Sequence, residues 1–169
     1  ATIRTQDAED RVDRERYSLA HTQQLDTLLV DQIHSQLSYQ DSQTRQQTFE
    51  DRVVGGGARY RTRDSYYEEK LWAFNTKLDK AFNIGSTQHA LVYGLDVKHL
   101  KNADLRKGGE TVLATGVNTP VLPTSDFPDP TTKEYALFAQ DSISIGRWTL
   151  LPGLRYDHYE MSPHVTQKY

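Results

Sequence analysis

Long stretches of apolar–polar alternation constrain this chain more than any other feature. Tyr66, Trp72, Phe74, Leu78 and Phe82 share one parity, and Glu69, Asn75, Lys77 and Asp79 the other. His89, Leu91, Tyr93, Leu95 and Val97 repeat the pattern, with Gln88, Gly94, Asp96 and Lys98 opposite. A period of two is the signature of a β-strand with two unlike faces. Trp72 and Phe82 lie ten residues apart. Strands of soluble proteins average about 5–6 residues, whereas a membrane β-strand needs about 9–11 to cross at a 45° tilt. Aromatic residues near both ends of such a stretch suit the two interfacial girdles of a membrane barrel.

The rest of the chain extends the rhythm. Tyr17, Leu19 and His21 alternate with Ser18, Ala20 and Thr22, and Leu29, Ile33, Leu37 and Tyr39 oppose Gln32, His34, Gln36 and Ser38. The four-residue spacing at 29, 33 and 37 also fits a helix, but the intervening polar residues and the β-formers Ile33 and Tyr39 decide for a strand. A fifth strand is expected over Glu134–Ile143. A sixth runs from Trp148 to about Glu160, with Pro152-Gly153 as a local irregularity. Residues 1–16 read as a polar, charge-rich loop or arm. Gly55-Gly56-Gly57 marks a long loop over 47–62, and the glycines and prolines of 105–132 mark another. Short turns fall near 24–28, 83–88 and 145–147. In a meander, consecutive connections lie at opposite ends, so the short turns share one end and the long loops the other, as in outer-membrane barrels. The expected fold is all-β, an antiparallel up-and-down meander of about six long strands, part of a larger transmembrane β-barrel.

Composition narrows the function classes. No stretch of the 169 residues approaches the roughly 18 consecutive apolar residues of a membrane helix. The chain has no cysteine, which removes disulfide and thiolate-metal chemistry, and its net charge of −3 gives no basic footprint for nucleic acid. No HxxxH, HExxH or GxSxG spacing occurs, and the glycine triplet lacks the Lys-Ser/Thr of a phosphate loop. Asp126, Asp129 and Glu134 do not have the spacing of a calcium loop. The sequence starts at Ala1 with no initiator Met or signal peptide after it, and Gln167-Lys168-Tyr169 reads as a continuing segment, which favours a fragment over a mature, processed small protein. Six strands also fall short of the minimum of about 8 for a closed membrane barrel. The chain is therefore expected to be a piece of a longer protein. A soluble β-sandwich or lipocalin-like barrel, with the aromatics as core, is the competing architecture.

The C-terminal third carries a more specific pattern. Tyr135-Ala136-Leu137-Phe138-Ala139-Gln140-Asp141, a turn at Gly146-Arg147, and Trp148 to Asp157 with its Pro-Gly-Leu-Arg-Tyr-Asp ending resemble the barrel of TonB-dependent outer-membrane receptors. Leu91 to Asp96, Ser125-Asp126-Phe127-Pro128-Asp129 and Leu37 to Arg45 resemble the haem and haemoglobin receptor branch. The similarity spans most of residues 15–160. It implies a barrel of about 22 strands in the outer membrane of a Gram-negative bacterium, closed by an N-terminal plug. It further implies non-covalent binding and import of haem, free or from a haemoprotein, driven by TonB acting on the plug. The expected partners are thus outer-membrane lipid, haem or a haemoprotein, the plug and TonB, with no nucleic acid. Haem is transported cargo; no intrinsic cofactor and no catalysis are expected. A siderophore receptor of the same superfamily and a non-energised porin-like channel are the alternatives, with an outer-membrane enzyme or a soluble carrier behind them.

Neither the FRAP nor the NPNL-like segments that flank the haem-binding histidine loop of that branch occur here, so no ligand residue carries over. Among the six histidines, His99 and His158 stand toward the long-loop end and are the candidates for contact with an extracellular ligand. An ordinary place near headgroups is the alternative for each. The alternation assigns Trp72, Phe74, Leu78, Leu91, Tyr93, Leu95 and Val97 to lipid. It assigns Gln32, Gln36, Asn75, Lys77, Asp79, Asp96 and Lys98 to the lumen. Glu68, Glu69, Lys70 and Lys80 are expected to add to that charged interior, against the plug.

Overall fold

The computed structural model describes residues 1–165. Eight strands form one antiparallel sheet: β1 (Thr2–Gln24), β2 (Gln32–Val54), β3 (Gly57–Ile84), β4 (Thr87–Val112), β5 (Asn118–Thr124), β6 (Asp129–Ile145), β7 (Trp148–Leu150) and β8 (Gly153–His164). The order is β1-β2-β3-β4-β6-β7, with β5 paired to β4 and β8 to β6. β7 and β8 are one arm interrupted at Leu151-Pro152, where Asp141 N–H donates to the Pro152 carbonyl across the break at 3.0 Å. The expected six-armed meander is therefore the observed architecture, with β5 a short addition.

Three expectations about the connections need correction. Residues 1–16 are not a loop, because β1 starts at Thr2 and pairs with β2 along its whole length. The segment 47–62 is not a loop either: β2 and β3 stay paired up to Val54↔Gly57, and only Gly55 and Gly56 form the turn, both at positive φ (57° and 81°). The segment 105–132 contains the top of β4, all of β5 and the start of β6. The physical reason is common to all three. A ladder needs only backbone partners, and where both faces are wet no apolar alternation announces it.

The strands of the first four arms are 23, 23, 28 and 26 residues long. At about 3.3 Å per residue, β3 is roughly 90 Å long. The stretch from Trp72 to Phe82 accounts for about 33 Å of it, or some 23 Å of height at 45°, near the roughly 25 Å apolar band of a membrane barrel. Above Trp72, β3 continues for fifteen residues to Gly57, an overhang of about 50 Å along the strand.

Register fixes the two faces, because directly paired residues project from the same side. One side carries rows such as Tyr17, Tyr39 and Trp72, then Leu19, Leu37, Phe74, Val97 and Tyr135, then Ile33, Leu78, Tyr93, Ala139 and Leu154. The other side carries Gln36, Asn75, Asp96, Ala136 and Asp157 in one row. The sorting into two faces agrees with the alternation for all fourteen residues assigned from it. Among the described residues, Ala136 is the sole buried hydrophobic residue, while Leu19, Trp72, Leu137 and Leu154 are 73%, 50%, 60% and 79% exposed. A soluble sandwich of this size would bury such side chains. This sheet holds together through its ladders and presents its apolar belt outward.

Candidate functional site

Level with the outward apolar belt, the inward face is a ladder of charged and polar pairs. Lys77 Nζ lies 3.3 Å and His34 Nε2 3.5 Å from Asp79, Lys98 pairs with Glu134 at 2.9 Å, and Arg155 bridges Asp96 at 3.0 Å and Asp157 at 2.9 Å. Each lysine and arginine named here has a carboxylate partner, so the ladder is polar and leaves none of these cations unmet.

The distal end, opposite the short turns, is not balanced. Three successive rows on the inward face bring together Thr48, Arg63 and Gly108, then Glu50, Arg61 and Glu110, then Arg52, Arg59 and Val112. The glycine turn at 55–56 causes this, since it folds the β2 and β3 ends, both arginine-bearing, against each other. Four guanidiniums face two carboxylates. Glu110 accepts from Arg59 Nη1 at 2.5 Å and lies 3.6 Å from Arg52. The hydrogen bond from Arg59, aided by the charges of Arg52 and Arg61, holds its carboxyl below the usual value of 4.5 despite partial desolvation. Glu50 is 4% exposed yet lies 3.8 Å from both Arg52 and Arg63. Its Oε2, with Nε of Arg52 and Nε of Arg59, is buried without a hydrogen-bond partner. Just below, a cavity of about 520 Å³ is lined by Arg61, Arg63 and Arg106 and by no carboxylate. Arg106 pairs with Asp126 at 2.6 Å. The β5–β6 connection is folded back here: Ser125 donates to Asp104, and Asp126 N–H donates to the same carboxylate at 2.9 Å. Spare guanidinium donors at a wet, concave mouth can hold a carboxylate or another oxyanion in bidentate fashion.

Neither candidate histidine reaches this mouth. His99 shares a row with Trp72, and His158 stacks on Tyr135 with ring centroids 6.4 Å apart, so both sit on the outward, apolar-belt face. His34 is the histidine that the register places inward, where its Nδ1 lies 3.0 Å from Thr22 Oγ1. It lies sixteen residues below Glu50 on β2, about 50 Å along the strand. Glu69 is inward as expected. Glu68, Lys70 and Lys80 are outward instead: Lys70 pairs with Glu68 at 2.6 Å, and Lys80 holds Asp31 and the Thr27 carbonyl at the short-turn end. A second charged group, Arg45 in a fork on Asp64 at 2.9 and 2.8 Å with Tyr66 donating to Asp64, stands on the outward face above the belt. Arg45, with Tyr66 assisting, keeps the Asp64 carboxyl below its usual value. Sequence reasoning missed the arginine mouth, although Arg52, Arg59, Arg61 and Arg63 flank the glycine triplet closely.

Long paired strands with short turns at one end, an outward apolar belt and a charged inward face agree with one family. The model of the TonB dependent receptor-like β-barrel family matches residues 1–168. The chain belongs to that family. No curated protein matches it. Among solved structures it is similar to the ferric citrate transporter FecA in its unliganded form, at 22% identity with a TM-score of 0.62. The similarity covers 90% of this chain and 21% of FecA, so the chain spans about a fifth of that protein's length. At this identity the likeness speaks for the fold alone. Both the family and this neighbour are receptors or transporters, not enzymes.

Proposed function

We propose that this chain is a wall segment of an outer-membrane receptor of Gram-negative bacteria. The receptor binds an anionic iron complex at its outer mouth and imports it, with TonB acting on a plug inside the barrel to supply the energy. The observation that carries the reading is the surplus of guanidinium over carboxylate on the inward face of the distal end. The paired ladder of charges beneath it suits contact with a polar plug. The cargo is bound and passed on without covalent chemistry.

Haem, free or delivered by a haemoprotein, is the ligand favoured by the residues that resemble the haem branch. Its propionates are the groups the arginines would hold, since this chain brings no histidine to the mouth. The second reading is a ferric carboxylate chelate, favoured by the same arginines and by the likeness to a ferric citrate transporter. Growth of an iron-starved strain carrying the full-length receptor separates them. Growth on haemin, with a Soret band on outer-membrane fractions that excess siderophore leaves in place, supports haem. Growth on ferric citrate alone transfers the assignment to the chelate. Uptake of either that persists without TonB contradicts energised import and favours an open channel.

A further inference from the structure

Glu50 is an odd residue to find in an anion-binding mouth. It is among the most buried charged residues of the sheet, yet the contacts it makes are loose. Both of its arginine neighbours stand 3.8 Å away, beyond hydrogen-bonding distance, and its Oε2 has no partner. Glu110, one strand over in the same row, is held by Arg59 at 2.5 Å and ties β3 to β4. Arg61 lies between the two carboxylates in that row. A desolvated carboxylate normally takes short, charge-assisted bonds, and leaving it short of them is costly. Arg52 Nε and Arg59 Nε are likewise unused. Donors and acceptor are thus all present in one place and incompletely matched.

We infer that Glu50 is an internal stand-in for a carboxylate of the incoming ligand, neutralising Arg52 and Arg63 while the mouth is empty and competing with the ligand for them. The inference deepens the anionic-ligand reading and rests on it. It explains the loose geometry: a carboxylate bound tightly by both arginines would shut out an external anion, and an apolar residue would leave bare charges facing one another. Glu50 therefore limits affinity, which allows release inward after capture, and it sets a preference for ligands with more than one negative group, since a single carboxylate gains little over the one it displaces.

The test is calorimetric titration of iron-free citrate into the full-length receptor in detergent, for the wild type and for Glu50→Gln, which keeps the shape and removes the charge. The expected result is an affinity about tenfold tighter in Glu50→Gln, with a steeper dependence on salt. Glu50→Ser is the second variant and should shift the same way. Unchanged or weaker binding in both folded variants, or no citrate binding by any of the three, overturns the inference. Iron uptake is scored separately in cells. Tighter citrate binding without import of haemin or ferric citrate sinks the import reading and keeps the role of Glu50, and intact import with unaltered citrate affinity does the reverse.

Discussion

Leu95→Arg tests the sidedness of the wall. Leu95 sits on the outward face in the row of Thr76, Leu137 and Tyr156. That row lies about midway between the row of Trp72 and His99 and the row of Phe82 and His89. An arginine on the lipid face of a membrane barrel costs about 2–4 kcal/mol at the bilayer midplane and about 0–1 near the interfaces. At mid-belt the upper range applies, a roughly 30- to 700-fold shift in the folding equilibrium. The control is Asn75→Arg, at similar depth but inward and opposite Asp96, where the new charge meets water and a carboxylate. The assay is reversible guanidinium unfolding of the full-length receptor in phospholipid vesicles, followed by tryptophan fluorescence. A cost below about 1 kcal/mol for Leu95→Arg, or a larger cost for Asn75→Arg, refutes the assignment of the two faces.

Other consequences can be checked with the same protein. Arg61→Ala removes the guanidinium between Glu50 and Glu110 and should weaken citrate binding about tenfold by calorimetry without altering unfolding. Gly94→Ala puts a Cβ against the Thr76 carbonyl and 2.9 Å from the Phe138 ring, and such overpacking should lower stability by about 1–3 kcal/mol in the vesicle assay. Glu110 and Asp64 have folded pKa values below their ordinary ones. Their contribution is therefore complete above the unfolded values and lost as pH falls through the lower, folded ones. Protection of the β2–β3 tip against protease should accordingly persist at pH 4.5 and fail only at stronger acidity.

Much of the wall was legible in the sequence because an apolar belt on one side and a polar face on the other force alternation. Trp72–Phe82 and Leu91–Val97 show it plainly, and the register agrees for the fourteen residues sorted by it, though not for Lys80. The overhang was not legible for the converse reason. Residues such as Asp7 to Arg16 or Thr48 to Arg52 carry polar or charged side chains on both faces, so their strands leave no periodic trace and read as loops. The turn residues were the surviving signal: Gly55 and Gly56 at positive φ are a hairpin tip, and taking them so would have paired Arg52 with Arg59. His99 and His158 were chosen by nearness to the long-loop end, but parity was the stronger guide. His99 shares the odd parity of Leu91 to Val97, which already put it on the lipid side. The break at Pro152 was legible because proline brings no N–H to a ladder.

The central claim is a wall that crosses the outer membrane with its arginine mouth outside. Single-cysteine labelling of the full-length receptor, cleared of any other cysteines, tests it in intact cells with a membrane-impermeant maleimide. Thr115 lies in the distal turn after β4 and Ser86 in the short turn between β3 and β4, both exposed. The account predicts that Thr115→Cys labels at once and Ser86→Cys only after the outer membrane is permeabilised. Labelling of Ser86→Cys from outside, or of both without permeabilisation, would contradict it.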